Sequence, residues 1–321
     1  MGADTRFAPA REKAGLRLNM SMKRSTLLLW IVGGGGAFLF FIFCLLALAF
    51  FFSTGGDSTG LSFSRNQVAV LDLEGTIIDS RDFVDLLKDY GNRSNVRSVV
   101  IRINSPGGGV AASQEIYKAI KKFRTDSEKN VIVSMASVAA SGGYYVACAA
   151  DKIFANPGSI TGSIGVITEW YNYGDLLQWA KLKNIVIKTG SYKDAGSSTR
   201  PLTDEEREYI QSLVDSMHNQ FISAVAVSRN MKEEDVRKLA DGRVFTGQEA
   251  VENGLVDEIG SYGDAIAEAA RLAGIEGEPK ILRPVKKSIS LLDLLLGDVK
   301  SVLSLNSDRS ESHIRFQYLW R

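Results

Sequence analysis

Two cysteines and two histidines in 321 residues leave little material for several kinds of chemistry. Cys44 and Cys148 cannot form a disulfide framework, and with His218 and His313 they offer no Cys/His spacing of the metal-site type. No resident metal or cofactor is expected. A Ser-His-Asp triad is poorly supplied too, because His218 falls mid-sequence among Ser216, Met217 and Asn219 and His313 lies in the terminal segment. Charge of one sign is also missing: 38 basic residues face 37 acidic ones, a net charge of +1, which gives no support to a nucleic acid or other polyanion as partner. Two phosphate-binding patterns are absent, Gly-x-x-x-x-Gly-Lys-Ser/Thr and Gly-x-Gly-x-x-Gly, so the run Ser105-Pro106-Gly107-Gly108-Gly109 does not read as a nucleotide cradle.

What is present begins with a basic arm, residues 1–24, carrying Arg6, Arg11, Lys13, Arg17, Lys23 and Arg24 against Asp4 and Glu12. Residues 25–52 follow without a charge, longer than the roughly 20 apolar residues a membrane span requires. A cleaved secretory signal is the competing reading, with a shorter apolar region of about 7–15 residues. Length favours an anchor, and the basic flank places the arm in the cytoplasm and the rest beyond the membrane. Residues 53–66 form a Gly/Ser/Thr tether.

From residue 67 to 274 the chain alternates strands, small-residue corners and helices, the pattern of an α/β domain. Strands are expected at 67–74, 98–104, 131–135, 152–155 and 184–189, and helices at 82–90, 110–123, 173–182, 203–229, 232–240, 248–253 and 262–273. Thr203 and Glu206 form a capping box opening the longest helix. Beyond 274, Leu292, Leu295, Leu296, Val299, Val302 and Leu303 make one apolar helical stripe, suited to docking on the domain, a neighbouring subunit or the membrane.

The corner that matters is Ala139-Ala140-Ser141-Gly142-Gly143, between an apolar strand and a small-residue helix. A hydroxyl at such a turn lies beside free backbone N–H groups that stabilise an oxyanion. Small residues there also serve close packing alone, and the Gly107–Gly109 corner serves equally as an oxyanion hole or as a tight turn. A serine nucleophile needs a base, and a lysine serves when its amine is kept neutral. Composition does not select which lysine.

In combination, Asn104-Ser-Pro-Gly-Gly-Gly109, Ala139-Ala-Ser-Gly-Gly-Tyr-Tyr145, Thr161-Gly-Ser-Ile-Gly-Val166, Tyr192-Lys193-Asp194 and Asp241-Gly-Arg-Val-Phe-Thr-Gly247 resemble the signal peptide peptidase A family of membrane-anchored serine proteases, over about Val68 to Ala273. The resemblance implies Ser141 as nucleophile and Lys193 as general base, Ser163 as the hydroxyl that orients the lysine, and the N–H groups of Gly108 and Gly142 as oxyanion hole. Asp194, next to the base, would raise the lysine's pKa if its charge were free. The resemblance also implies a ClpP/crotonase-like spiral of ββα units in its short, single-core form. Its substrates would be remnant signal peptides, and its sites would be shared between adjacent subunits of a homo-oligomeric ring on the outer face of the cell membrane. Two other readings stand beside it, a crotonase-like acyl-CoA enzyme and a scaffold of the same fold without activity.

Overall fold

The computed structural model describes residues 40–46, 66–284 and 316–320. The chain divides into two units, Met1–Ser62 and Phe63–Arg321. Of the first, residues 40–46 are described and are helical. The rest of the apolar run, the tether and the stripe at 292–303 lie outside the described residues. Among the described residues no helix is long and apolar enough to cross a membrane.

The second unit is built on a parallel sheet. Strands β1 (Gln67–Glu74), β2 (Val96–Ser105), β4 (Asn130–Ala140), β5 (Lys152–Ala155), β9 (Glu258–Ile259) and β10 (Lys280–Leu282) run in the order β10-β1-β2-β4-β5-β9. Every neighbouring pair along that path is parallel. Alternate residues face opposite sides, and both sides are apolar, as a sheet covered on both faces requires. Val68, Val70, Val100, Ile132 and Phe154 meet Ala265, Ile266, Ala269 and Ala270 of helix α8 (Tyr262–Leu272). Leu71, Val99, Ile101, Val133 and Met135 face the larger cluster. That cluster takes in helices α1 (Arg81–Asn92), α2 (Val110–Ser127) and α3 (Gly142–Ala147), and the C-terminal third of α5 (Asp204–Arg229). Each such fully buried aliphatic side chain contributes about 1.5–3 kcal/mol.

Strand β4 is longer than its apolar half requires. Its first part, Ile132–Met135, pairs with β5; its second, Val138–Ala140, pairs with β6 (Ile160–Gly162). β6 in turn pairs antiparallel with β8 (Val244–Thr246). The change of partner sets the end of β4 parallel to β6, the strand that turns antiparallel to β8, and delivers Ser141 where the two directions meet. The Gly-rich corner is itself a short strand, β3 (Gly107–Gly109), within a second, antiparallel sheet ordered β3-β11-β7, where β7 is Ile167–Thr168 and β11 is Phe316–Leu319. Strands β10 and β11 therefore come from the segment read as a tail.

The remaining helices are α4 (Gly174–Trp179), α6 (Glu233–Leu239) and α7 (Gly247–Glu252). The expected capping box is present, with Thr203 Oγ1 accepting from the Glu206 N–H at 3.2 Å and the Glu206 carboxylate accepting from the Thr203 N–H at 3.0 Å. Two expectations are corrected. The helix read at 173–182 ends at Trp179, and residues 184–189 are not a strand. Ile185, Val186 and Ile187 have the branched side chains of a strand but lie exposed and unladdered, and strand propensity acts through packing and pairing.

Candidate active site

Ser141 is buried at 1% exposure and sits at φ 51°, ψ −114°, a conformation costly for a residue with a Cβ. Such strain persists where the surroundings fix it. The Ser141 N–H donates to Gly162 O at 2.8 Å, and Ser141 O accepts from the Tyr145 N–H, so the turn is tied to β6 on one side and to α3 on the other. Its Oγ has no hydrogen-bond partner among the described residues. The hydroxyls of Tyr90, Ser134 and Thr168 are buried without a partner too, so what sets Ser141 apart is its strained turn beside the glycine corner.

Ser163 follows Gly162, which pairs with Ala140 in the β4–β6 register, so Ser141 and Ser163 each lie one residue past the same paired position. Ser163 is buried, also at positive φ (50°), and its N–H donates to Arg243 O at 2.8 Å. Gly142 and Gly107 close the other side. A Cβ on Gly142 would stand 2.6 Å from Ser113 Oγ and 3.1 Å from the carbonyl oxygen of Tyr318, and a Cβ on Gly107 would collide with that oxygen. Glycine is required here by the close approach of another backbone.

That backbone is β11. It lies antiparallel on β3 with Gln317 opposite Gly109, Tyr318 opposite Gly108 and Leu319 opposite Gly107, and on its other side it pairs with β7. The Trp320 N–H donates to Pro106 O at 2.8 Å. Hydrogen-bonded pairs alternate in antiparallel ladders, so 318 and 108, two positions along, form a pair of the same bonded kind, with the Gly108 N–H directed at Tyr318 O. One peptide carbonyl thus faces the Gly108 N–H and borders Gly142, the residue after Ser141. Beyond it, Leu319 and Trp320 enter a cleft of about 570 Å3 lined also by Ser163, Asp215, His218 and Asp241.

Lys193 is not part of this cluster. It lies exposed in a run of turns over 191–196, and no hydrogen bond joins it to Ser141 or Ser163 among the described residues. Its loop is nevertheless well anchored. Asp194 pairs with Lys188 and with Arg200 (3.0 Å), and Arg200 also holds Glu206 at the start of α5 with Nη1–Oε2 2.8 Å. Lys188 first, then Arg200, hold the Asp194 carboxyl below its usual range. The charge beside Lys193 is therefore already engaged by two cations.

Glu206 is the buried end of this clamp, its carboxyl brought down from 4.5 to about 2 by Arg200 first and the Thr203 N–H second, against desolvation. A carboxyl depressed in the folded state stabilises it above the unfolded pKa and loses that contribution as pH falls through the folded one. The melting temperature of the wild-type chain is expected to fall faster than that of Glu206→Gln between about pH 4.5 and 2, the two curves lying furthest apart near neutrality. Parallel curves over that window would refute the role assigned to the clamp.

Sequence reasoning missed β11 and the pocket that receives it. Tyr318 is fully buried, its ring 5.4 Å and 23° from Tyr145 and 4.7 Å and 50° from Phe221, with its hydroxyl donating to Met217 O at 2.9 Å. The alternation Phe316-Gln317-Tyr318-Leu319 was the available signal, too short to stand out at the end of a polar segment.

A parallel sheet with a crossed antiparallel corner, a strained serine and a glycine strand holding a peptide backbone fit the Clp-like α/β class. Comparison with known proteins agrees: the Clp protease family pattern matches residues 81–160 and that of peptidase family S49 matches residues 123–276. A putative protease of Synechocystis is 40% identical over 237 residues, 73% of this chain and 84% of that one. A putative signal peptide peptidase SppA of Enterococcus faecium is 37% identical over 216 residues, 63% of this chain and 62% of that one. Protease 4 of Haemophilus influenzae is 32% identical over 257 residues, 73% of this chain but 40% of its own length. The chain thus spans less than two thirds of the last two relatives. It belongs to the signal peptide peptidase A family, peptidase family S49, and is a protease by that descent.

Proposed function

We propose that the chain is a membrane-anchored serine endopeptidase that cleaves apolar, unstructured peptides such as remnant signal peptides, with Ser141 as nucleophile and Lys193 as base. The observation that carries this reading is the peptide strand laid across Ser141, its Tyr318 carbonyl against Gly108 and Gly142. In the first step the neutral Lys193 amine takes the Ser141 proton as Oγ bonds to the substrate carbonyl carbon; the N–H groups of Gly108 and Gly142 stabilise the oxyanion. The C–N bond then breaks and the lysine ammonium gives its proton to the leaving amine. Water, deprotonated by the same lysine, hydrolyses the ester and restores Ser141. Ser163 orients the lysine.

The separation of Lys193 from Ser141 within the protomer supports a site completed by an adjacent subunit. So do the large apolar side chains left exposed on the segment before Lys193, with Trp179, Ile185 and Ile187 at 81%, 84% and 97%. We take this surface to be the contact between subunits of a ring. The uncharged run at 25–52 is the proposed anchor, with the arm before it cytoplasmic and the protease unit on the outer face.

The test is a fluorophosphonate-type serine probe applied to wild type and Lys193→Ala side by side. Labelling at Ser141, mapped by mass spectrometry and strongly slowed in Lys193→Ala, is the expected result. Labelling elsewhere, or at Ser141 at the same rate in both, would defeat the assignment.

A further inference from the structure

We propose that the groove between helices α1 and α2 holds the segment 292–303 of the same chain, laid in it as a third helix with its leucine stripe turned inward. The inference is independent of the roles given to Ser141 and Lys193.

The groove is apolar at its floor and charged at its rim. Val84, Leu87 and Gly91 of α1 face Ala119 and Phe123 of α2 across a cleft of about 370 Å3. Lys88 stands on one rim, and Lys122 and Asp126, an ion pair of 2.6 Å, stand on the other. Leu87 and Phe123 are buried beneath the cleft, whereas Val84, Gly91 and Ala119 are only half covered. Gly91 adds no side chain to close it; a Cβ there would stand 3.4 Å from the Phe123 ring. An apolar stripe laid along the two helices would cover these positions as ridges fill a groove.

The chain has an occupant of the right length. Strand β10 ends at Leu282 on the edge of the sheet beside β1, and Leu282 packs on the larger cluster, the side that α1 covers. The chain is next described at Phe316, which packs on the same cluster. Departure and return thus lie on one side of the sheet. Extended, residues 285–291 reach up to about 23 Å and residues 304–315 up to about 40 Å, against helices α1 and α2 of about 18 and 27 Å. Both connections are long enough to let 292–303 lie along the groove.

Charge favours the same placement. As a helix, 292–303 puts its leucines and valines on one face, with Asp293 and Lys300 on one flank and Asp298 on the other. Helices α1 and α2 lie side by side between parallel strands, joined in the usual right-handed sense. A helix parallel to them then turns Asp293 and Lys300 towards α2, where Lys122 and Asp126 follow in the opposite order of sign. It turns Asp298 towards Lys88 on α1. Each flank meets its complement.

The experiment uses the full chain in lipid nanodiscs with Cys44→Ser and Cys148→Ala as background. Cysteine pairs Lys88→Cys with Asp298→Cys, and Lys122→Cys with Asp293→Cys, are treated with a short bis-maleimide matched to the separation of packed helices, about 8–10 Å. Ala267→Cys with Asp298→Cys, on α8 across the sheet, is the control. Mixed light and heavy isotope-labelled chains tell links within a chain from links between chains. Both groove pairs are expected to link within one chain and the control pair to stay unlinked. Hydrogen exchange is read in parallel: the amides of 292–303 are expected to be protected, and Leu295→Asp with Val299→Asp, which leaves the described domain unaltered, to speed their exchange by about 10- to 100-fold. Links between different chains would assign the groove to a second copy and overturn the proposal. So would equal linking of the control pair, unprotected amides at 292–303, or protection that appears only when lipid is present.

Discussion

Chains carrying Ser141→Ala and chains carrying Lys193→Ala are each expected to lose peptide hydrolysis by about 10⁴-fold or more, the scale at which removal of a nucleophile or its base disables a serine hydrolase. Co-assembled at equal amounts, they are expected to recover about one quarter of wild-type activity, because one active site in four would draw both an intact serine and an intact lysine from neighbouring subunits. The reason lies in where the protomer holds the two groups. Ser141 is buried at the end of β4, whereas Lys193 is exposed in the 191–196 turns with its neighbour Asp194 engaged by Lys188 and Arg200. Rates measured after co-expression and after mixing of separately purified chains would distinguish assembly from subunit exchange. Mixed assemblies with no activity above either parent would show that serine and lysine act within one chain.

Removal of residues 316–321 is expected to raise hydrolysis of a free peptide by about 10- to 100-fold. A segment tethered to its own groove acts at an effective concentration on the order of 1 mM, against which a short peptide of about 10–100 μM affinity competes poorly. Among the described residues strand β11 pairs with β3 and β7 alone and supplies no strand to the parallel sheet, so its removal leaves that sheet intact and takes Tyr318 and Phe316 from the edge of the larger cluster. Tyr318→Ala, which empties the buried pocket but keeps the strand, should produce an intermediate increase. Comparing kcat/KM for the three chains on one reporter peptide measures the effect, and equal values would show that the strand does not obstruct the site. The same groove holds the chain's own terminal strand and, on the proposed reading, is completed by Lys193 of a neighbouring subunit.

Much of this was legible in the residues. The strands at 67–74 and 152–155 have the bounds their apolar runs indicate, and the capping box at Thr203 forms as the spacing requires, because these signals are local and depend on no distant partner. The strand read at 184–189 failed for the opposite reason. Ile185, Val186 and Ile187 favour a ladder, and the protomer supplies none, leaving them on the surface from which the proposed subunit contact is built.

The strand β11 was invisible because four residues after a long polar segment carry no periodicity strong enough to mark a strand, and its partners, Gly107–Gly109, have no side chains to suggest one. By itself the sequence determined that histidine chemistry was poorly supplied, that a hydroxyl stood at the corner after 140, and that glycines stood where a backbone must approach. These are matters of residue type. Only the tertiary structure decided that β4 changes partners to bury Ser141 with its Oγ unpaired, that a peptide strand crosses it, and that Tyr145 and Phe221 enclose an aromatic ring. Those features arise from contacts between segments far apart in the chain, so no local pattern encodes them.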